Sequence, residues 1–508
     1  MTGAPSCQEE LRLLAPQMEG EVARFYEYMG YECAWTQAGA PTPQAMYLTR
    51  VFAQAASKGL DARDYQTAAV AGAGAGQTDL AVTQAAVRYV SDLCGGRVNP
   101  RTNRCDVVGT VTRLVNAPDA AGVLQSAEPP FAGYRRTLRA LGEYRLMAQA
   151  PEPANLLETE KAIEPGEAYS AAPRLAAHLR RLGDLPAEAA LAPDLQVYEG
   201  PLVEAVKRFQ ERHGLEADGQ IGTRTVRQLN APMTSRVRQL ELALERWRGV
   251  GQAPEGRSIE VNIPEFRLRA IGAGEARELE MNVVVGAAAR HKTPTFTAML
   301  RAVVFHPYWN VPWSIQRKEL IPEIEKDPGY LAEHYFEVVT TQNEVVPSEI
   351  GAGEILAGLR AGTYFLRQTP GAHNALGSVM FRLPNEYSVF MHDTPQRNLF
   401  VRARRDFSHG CIRLEKPREL LDWVLQGDAQ WPPERIEEAM QGEETTQVAL
   451  ERAIPVSVVY RTVVTEADGP PHFLPDIYGW DARLGQQLND LSRPALAPGA
   501  HASAAEPR

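Results

Sequence analysis

Residues 293–307, TPTFTAMLRAVVFHP, set β-branched and apolar residues in near-alternation and stop at a proline. That is the pattern of a strand, not of a helix with its three-to-four spacing. The same character recurs on both sides, in SIEVNIP (258–264), ELEMNVVVG (278–286), GTYFLRQ (362–368), SVMFRL (378–383), YSVFMHD (387–393) and VSVVYRTVVT (456–465), with Gly, Pro and Asn turns between them. Helical patterns are few here: EKPRELLDWVLQ (415–426) and PPERIEEAMQ (432–441). Residues 257–470 are therefore expected to form a mainly β domain, a sandwich or barrel.

The N-terminal half reads differently. Over residues 20–148, LTRVFAQAASKGL (48–60) and LAVTQAAVRYVSDL (80–93) carry apolar residues at helical spacing. No polar constellation there suggests chemistry, so a helical scaffold is expected. Residues 149–170, QAPEPANLLETEKAIEPGEAYS, are rich in Pro and Glu and read as a linker. A three-helix module is expected over 171–232. Leu175, Leu179 and Leu182 form one stripe and Leu202, Val206 and Phe209 another, Pro201 opens a helix, and Thr223 is the expected N-cap of a short helix bearing Val226 and Leu229. Residues 486–508 read as a disordered tail. The fold class is thus multidomain α+β.

At 508 residues the chain exceeds one ordinary domain. A formal net charge of −10 argues against a nucleic-acid surface, and no run of about 18 apolar residues suggests a membrane span. The N-terminus MTGAPSCQEELRLLAP lacks the basic start and apolar core of a secretory signal, which read literally means a cytoplasmic chain. Of the five cysteines, Cys7, Cys33, Cys94 and Cys105 lie in the first 105 residues. Cys94 with Cys105 and Cys7 with Cys33 are candidate disulfides in an oxidising compartment, a pairing that spacing leaves open. Cys411 stands alone, within DFSHGCIRLEKP (406–417).

A thiol attacks as the thiolate, and at neutral pH only a few per cent of an ordinary cysteine is ionised, so a nucleophile needs a base. His392 is the candidate general base and acid, carried on a strand that a neighbour bearing Cys411 would bring into hydrogen-bond reach. His409 either shares a face with Cys411 or braces the loop, the second being favoured. Gly410 lets a substrate carbonyl approach, with nearby N–H groups holding an oxyanion. Arg413 shares the parity of Cys411 and suits a substrate carboxylate, against a plain surface charge. Ser408 is a second candidate substrate contact. An inert buried thiol is the bland alternative. A zinc site of His392, His409 and Cys411 lacks the close ligand pairs of structural zinc, and no Gly-x-Ser-x-Gly elbow supports a serine hydrolase. A Cys–His acyl-transfer enzyme without cofactor remains.

MHDTP (391–395) followed by FSHGCIRLEKP (407–417) resembles the catalytic signature of L,D-transpeptidases with the YkuD-type domain. MNVVVGAAARHKTPTF, FHPYWNVPWSI, DPGYL, RQTPGAHNALGSVMFRLPN and PHFLPDIYGWD resemble, in order, stretches of the large multidomain periplasmic members. AVKRFQERHGLEADGQIGTRTVRQL resembles their peptidoglycan-binding domain; YECAWTQAG, GLDARDY and GGRVNP resemble their scaffold domain. The resemblance implies a periplasmic or cell-envelope enzyme that partners peptidoglycan stem peptides and glycan. Cys411 would attack the third residue of a tetrapeptide stem, releasing D-alanine and leaving a thioester. An amine would then form a 3→3 cross-link, with a lipoprotein or D-amino acid as other acceptors and acylation by carbapenems. Met380 stands where lysine is expected, and the segment 315–361, implied to be a lid, lacks the expected tryptophan pattern. The alternatives are an L,D-carboxypeptidase using water and a catalytically silent wall-binding scaffold.

Overall fold

The computed structural model describes residues 6–38, 40–67, 74–98, 105–158, 160–191, 195–251, 256–272, 274, 276–327, 329–347 and 349–491. The chain forms two units, residues 1–253 with 461–508, and residues 254–460. Among the described residues no helix is long and apolar enough to cross a membrane.

The first unit is helical, with a short hairpin of β1 (Thr36–Gln37) and β2 (Ala40–Pro41). Its long helix Ala75–Gly95 carries Asp79 and Thr83 one turn apart, both buried. Asp79 accepts from Tyr26 Oη at 2.8 Å and the Trp35 backbone N–H at 2.7 Å, and Thr83 from the Trp35 indole at 2.8 Å. These satisfied polar groups fix the aromatic core of Phe25, Tyr26 and Trp35. Cys7 pairs with Cys33 and Cys94 with Cys105, at Cα separations of 6.3 and 6.0 Å.

One continuous apolar cluster joins helix Ala132–Gln149 to helices Ala172–Arg181, Pro201–Arg212, Thr223–Leu229 and Met233–Arg248. Pro201 opens its helix as expected, whereas the N-cap position before Thr223 is taken by Gly222. The stretch 149–170 differs from a free linker. Leu156 is buried in the cluster, and bridges Ile163↔Ile221 and Ala168↔Val197 lay it against the module, so its few apolar residues suffice to dock it. The C-terminus also departs from the expected boundaries. The run 456–465 breaks after Val459; β15 (Val463–Val464) and β16 (His472–Phe473) pair within the first unit, where Val463 and Phe473 join the helical core. The tail expected from 486 begins as helix Trp480–Leu491, and residues 492–508 lie outside the described residues.

In this unit Arg212 grips Asp184 through Nε and Nη2 at 2.6 and 2.5 Å, with side chains 5% and 1% exposed. Asp184→Ala leaves a buried guanidinium without its counter-charge, and is expected to cost about 3–5 kcal/mol. A urea titration of the purified variant reads this directly.

The second unit is a closed sheet. β3 (Ser258–Asn262), β4 (Arg267–Ile271), β5 (Arg277–Gly286) and β6 (Phe296–Phe305) are followed by β10 (Val379–Arg382), β11 (Met391–His392), β12 (Asp406–Ser408), β13 (Ile412–Leu414) and β14 (Thr446–Val459). Their order is β12-β5-β13-β11-β10-β6-β14-β3-β4, and β4 pairs back onto β5, which closes a barrel. Closure pairs both sides of the eight ring strands and leaves β12 as an added strand on β5. β5 does this by dividing its length, its first half pairing with β4 and its end with β13 and β12. Val261, Leu268, Leu300, Phe381, Met391, Ile412 and Val456 are fully buried.

Between β6 and β10 the chain builds an annex. β7 (Trp309–Asn310), β8 (Phe336–Thr340) and β9 (Tyr364–Gln368) form a sheet in the order β7-β9-β8, packed with its own cluster of Ile315, Ile321, Val338 and Leu366. A π-helical turn at Gln316–Leu320 precedes helix Ile321–Lys326. Buried Gln316 pins that turn, donating to Leu359 and Tyr364 carbonyls and accepting from Leu366 N–H at 2.9 Å.

Candidate active site

β11 and β13 lie side by side and parallel, with Met391 opposite Ile412 and His392 opposite Arg413. Met391 and Ile412 are fully buried. Side chains alternate along a strand, so His392 and Arg413 lie on the other face, together with Cys411 one step before the register. On β10, Met380 is the partner of His392 on that same face. His392 thus sits on β11 beside β13, and Cys411 immediately precedes β13. The stretch 387–392 does not alternate throughout, because Ser388 takes a left-handed φ of 55°. Its carbonyl faces Cys411 Sγ at 4.0 Å.

Among the described residues no hydrogen bond joins Cys411 Sγ to His392. His392 is 4% exposed, and its Nδ1–H donates to the Asp393 carbonyl at 2.5 Å. That bond fixes the tautomer and leaves Nε2 with its lone pair. Burial first, then the charge of Arg413, push the His392 pKa down to about 3. Burial likewise raises the Cys411 thiol, while the Phe390 backbone hydrogen bond and Arg413 draw it the other way. The resting pair is thus neutral thiol and neutral imidazole, a proton donor and acceptor on one face.

The loop between β12 and β13 reverses at Gly410, whose φ of 118° favours glycine. Ser408 holds this turn from inside. It is 2% exposed, donates to the Cys411 carbonyl at 2.5 Å, and accepts from Gly410 N–H at 3.1 Å. Of the N–H groups expected to hold an oxyanion, that of Gly410 is donated to Ser408, and the Ser408 hydroxyl is turned onto its own loop. Thr293, unremarked in the sequence, completes the brace by accepting from Gly286 N–H and donating to the Gly410 carbonyl, both at 2.8 Å. A Cβ on Gly286 would lie 1.8 Å from the His291 carbonyl, so only glycine admits this close approach.

His409 points out of the turn. Its Nε2 lies 2.8 Å from a Glu319 carboxylate oxygen on the π-helical turn, and its ring centroid is 4.6 Å from that of His291. The cluster His392, His409 and Cys411 is not assembled. Among the described residues, the second unit's group of candidate ligands within 4.8 Å of one another is His291, Glu319 and His409. Arg413 donates to Gln396 through Nη1, and its buried Nε has no hydrogen-bond partner among the described residues. A cavity of about 520 Å³ runs over the outer barrel face, with Met380, Arg382, Ser388, Phe390, Tyr308 and Arg367 in its wall. Ser388 and Phe390 also meet Cys411, so the cavity adjoins the thiol.

Residues 256–436 match a family model described as YkuD, the L,D-transpeptidase catalytic domain. Residues 20–141 match a scaffold domain, and residues 173–229 a model described as "Putative peptidoglycan binding domain". The chain is 35% identical over 227 residues to a Haemophilus influenzae protein named "Putative L,D-transpeptidase". That match covers 44% of this chain and 45% of the relative, so the chain spans about half the relative's length. Two solved L,D-transpeptidase structures are distant likenesses. The one from Xylanimonas cellulosilytica is 12% identical, covering 60% of this chain and 100% of that one, with a TM-score of 0.18. The one from Stackebrandtia nassauensis is 13% identical, covering 60% and 97%, with a TM-score of 0.22, and neither constrains the fold. The catalytic-domain match encloses His392, Cys411 and the loop that holds them: residues 256–436 are similar to YkuD-type L,D-transpeptidase catalytic domains, and residues 173–229 to a peptidoglycan-binding domain.

Proposed function

We propose that the protein cross-links peptidoglycan through a cysteine thioester. The observation that carries this reading is the adjacency of β11, which bears His392, to β13, which starts one residue after Cys411, near a cavity, in a chain that also matches a peptidoglycan-binding model. His392 Nε2 takes the thiol proton as Sγ attacks the carbonyl of the third stem residue. The thiol must turn from Ser388 toward the imidazole, a tightening commonly deferred until substrate binds. The Cys411 N–H, rather than that of Gly410, is the backbone donor for the oxyanion. When the C–N bond breaks, His392 returns its proton to the departing D-alanine amine, and an acyl thioester remains.

An amine from a second stem then attacks the thioester and gives its proton to His392. The new amide is the 3→3 cross-link, and the thiol is restored. Arg413, whose Nε has no hydrogen-bond partner among the described residues, suits a stem carboxylate near the nucleophile. Ser408 and Thr293 act as positioning residues, and the annex over 309–368 covers the bound stem. The two disulfides favour an oxidising compartment, consistent with the cell envelope and here the periplasm.

The test is incubation of the full chain with tetrapeptide muropeptides and analysis of the products. Cross-linked dimers with free D-alanine are expected. Tripeptides alone mean water is the acceptor and the enzyme is a carboxypeptidase; no turnover, with retained binding to sacculi, leaves a wall-binding scaffold. A lipoprotein or free D-amino acid supplied as the amine should be joined to the same thioester.

A further inference from the structure

We infer that His291, Glu319 and His409 form a binding site for Zn²⁺ that ties the π-helical turn of the annex to the loop holding Cys411. The three donor atoms come from three separate segments, yet lie within 4.8 Å of one another. Two imidazoles and a carboxylate make a donor set suited to zinc, with water as the fourth ligand. At zinc–ligand distances near 2.0–2.1 Å, tetrahedral donors stand about 3.4 Å apart. That separation falls between the 2.8 Å of the His409–Glu319 pair and the 4.8 Å within which all three donors lie, and the two histidines are partly exposed and can rotate toward it.

Two further features set this apart from a chance surface grouping. Thr293 links the Gly286 N–H to the Gly410 carbonyl, so the backbone next to His291 and that next to His409 are fastened through one fully buried hydroxyl. The histidines are thereby held together before any metal arrives. The third donor is also on a constrained element, since Gln316 clamps the start of the turn that presents Glu319. The ring nitrogens of His291 make no hydrogen bond with the described residues, which leaves both free to ligate. Lys318 and Arg290 act on the same cluster with positive charge and oppose a cation. The expected occupant is therefore a metal held by directed coordination bonds, rather than an alkali or alkaline-earth ion held by charge.

The site is separate from the chemistry proposed for Cys411, and its test does not depend on turnover. Full-length Cys411→Ala protein, which removes the nearby thiol as a competing ligand, is titrated with Co²⁺ and then with Zn²⁺. One equivalent of Co²⁺ per chain is expected, with the intense visible bands of four-coordinate cobalt, displaced by Zn²⁺. Glu319→Gln and His291→Gln in the same background should each weaken binding by at least about tenfold. Both side chains lie at the surface, and circular dichroism checks that each variant is folded. Absence of the cobalt spectrum, or equal affinity in the parent and both variants, overturns the site. In either case Glu319 and His409 are then only an ion pair formed when the imidazole is protonated.

Discussion

Cys411→Ala is expected to reduce D-alanine release from a tetrapeptide by at least about ten-thousandfold, because no other group in the site can hold the acyl chain. The same substitution should leave the fold nearly untouched. The thiol is partly exposed, and its contacts are a long one to the Ser388 carbonyl at 4.0 Å and one to the Phe390 backbone. The turn around it is held by Ser408, Thr293 and the β13 ladder, none of which uses sulfur. A stability change of at most about 1 kcal/mol is expected, so lost activity is not lost structure. Intact mass after incubation with a carbapenem gives an independent reading. The wild-type chain should gain one covalent adduct, and the variant none. An adduct of the same mass and yield on Cys411→Ala would place the nucleophile elsewhere.

The reach of the sequence follows what each signal depends on. β3, β5 and β6 are legible because apolar and β-branched residues recur over strand lengths, whereas β4, RLRAI, gave no such signal. Barrel closure was not legible, since it rests on β5 splitting its pairing between β4, β13 and β12, and pairing is non-local. The stretch 149–170 reads as a linker because composition reports polarity, whereas Leu156, Ile163, Ala168 and Tyr169 dock it. Cys411 and His392 stand out in the sequence because candidate nucleophile and base are rare residue types near each other in the chain. Thr293 and Glu319 were missed for the opposite reason: a threonine and a surface glutamate carry no spacing signal, and each meets the loop from about a hundred residues away. Gly410 shows what sequence can and cannot give. Its φ of 118° could be anticipated from glycine, while the capture of its N–H by Ser408 depends on a side-chain rotamer.

His392→Ala is expected to slow acylation by about a hundredfold to ten-thousandfold, and its pH profile should differ in kind from that of the wild type. Burial holds the folded His392 pKa near 3, against an unperturbed value of about 6.5. The imidazole is then a free base throughout the neutral range. Wild-type acylation at saturating carbapenem should therefore be nearly flat between about pH 6 and 8. Without the imidazole, only thiol ionised by solvent can attack, and the variant's rate should climb about tenfold per pH unit over the same window. Stability must be kept out of this comparison, and its sign is fixed. A folded pKa below the unfolded one means the unfolded chain binds the extra proton, so this stabilisation is complete above about pH 6.5 and is lost as pH falls toward 3. At pH 5 the loss from His392 alone is about 2 kcal/mol, which is why the kinetics belong above pH 6. The same pair of shifts separates two mechanisms. A raised thiol beside a lowered imidazole gives a neutral resting pair, with the proton moving during attack, and little thiolate absorbance at pH 7. Strong thiolate absorbance in the wild type at pH 7, abolished in His392→Ala, would instead mean a preformed thiolate–imidazolium pair. In that case the burial that sets His392 apart here would not govern its chemistry.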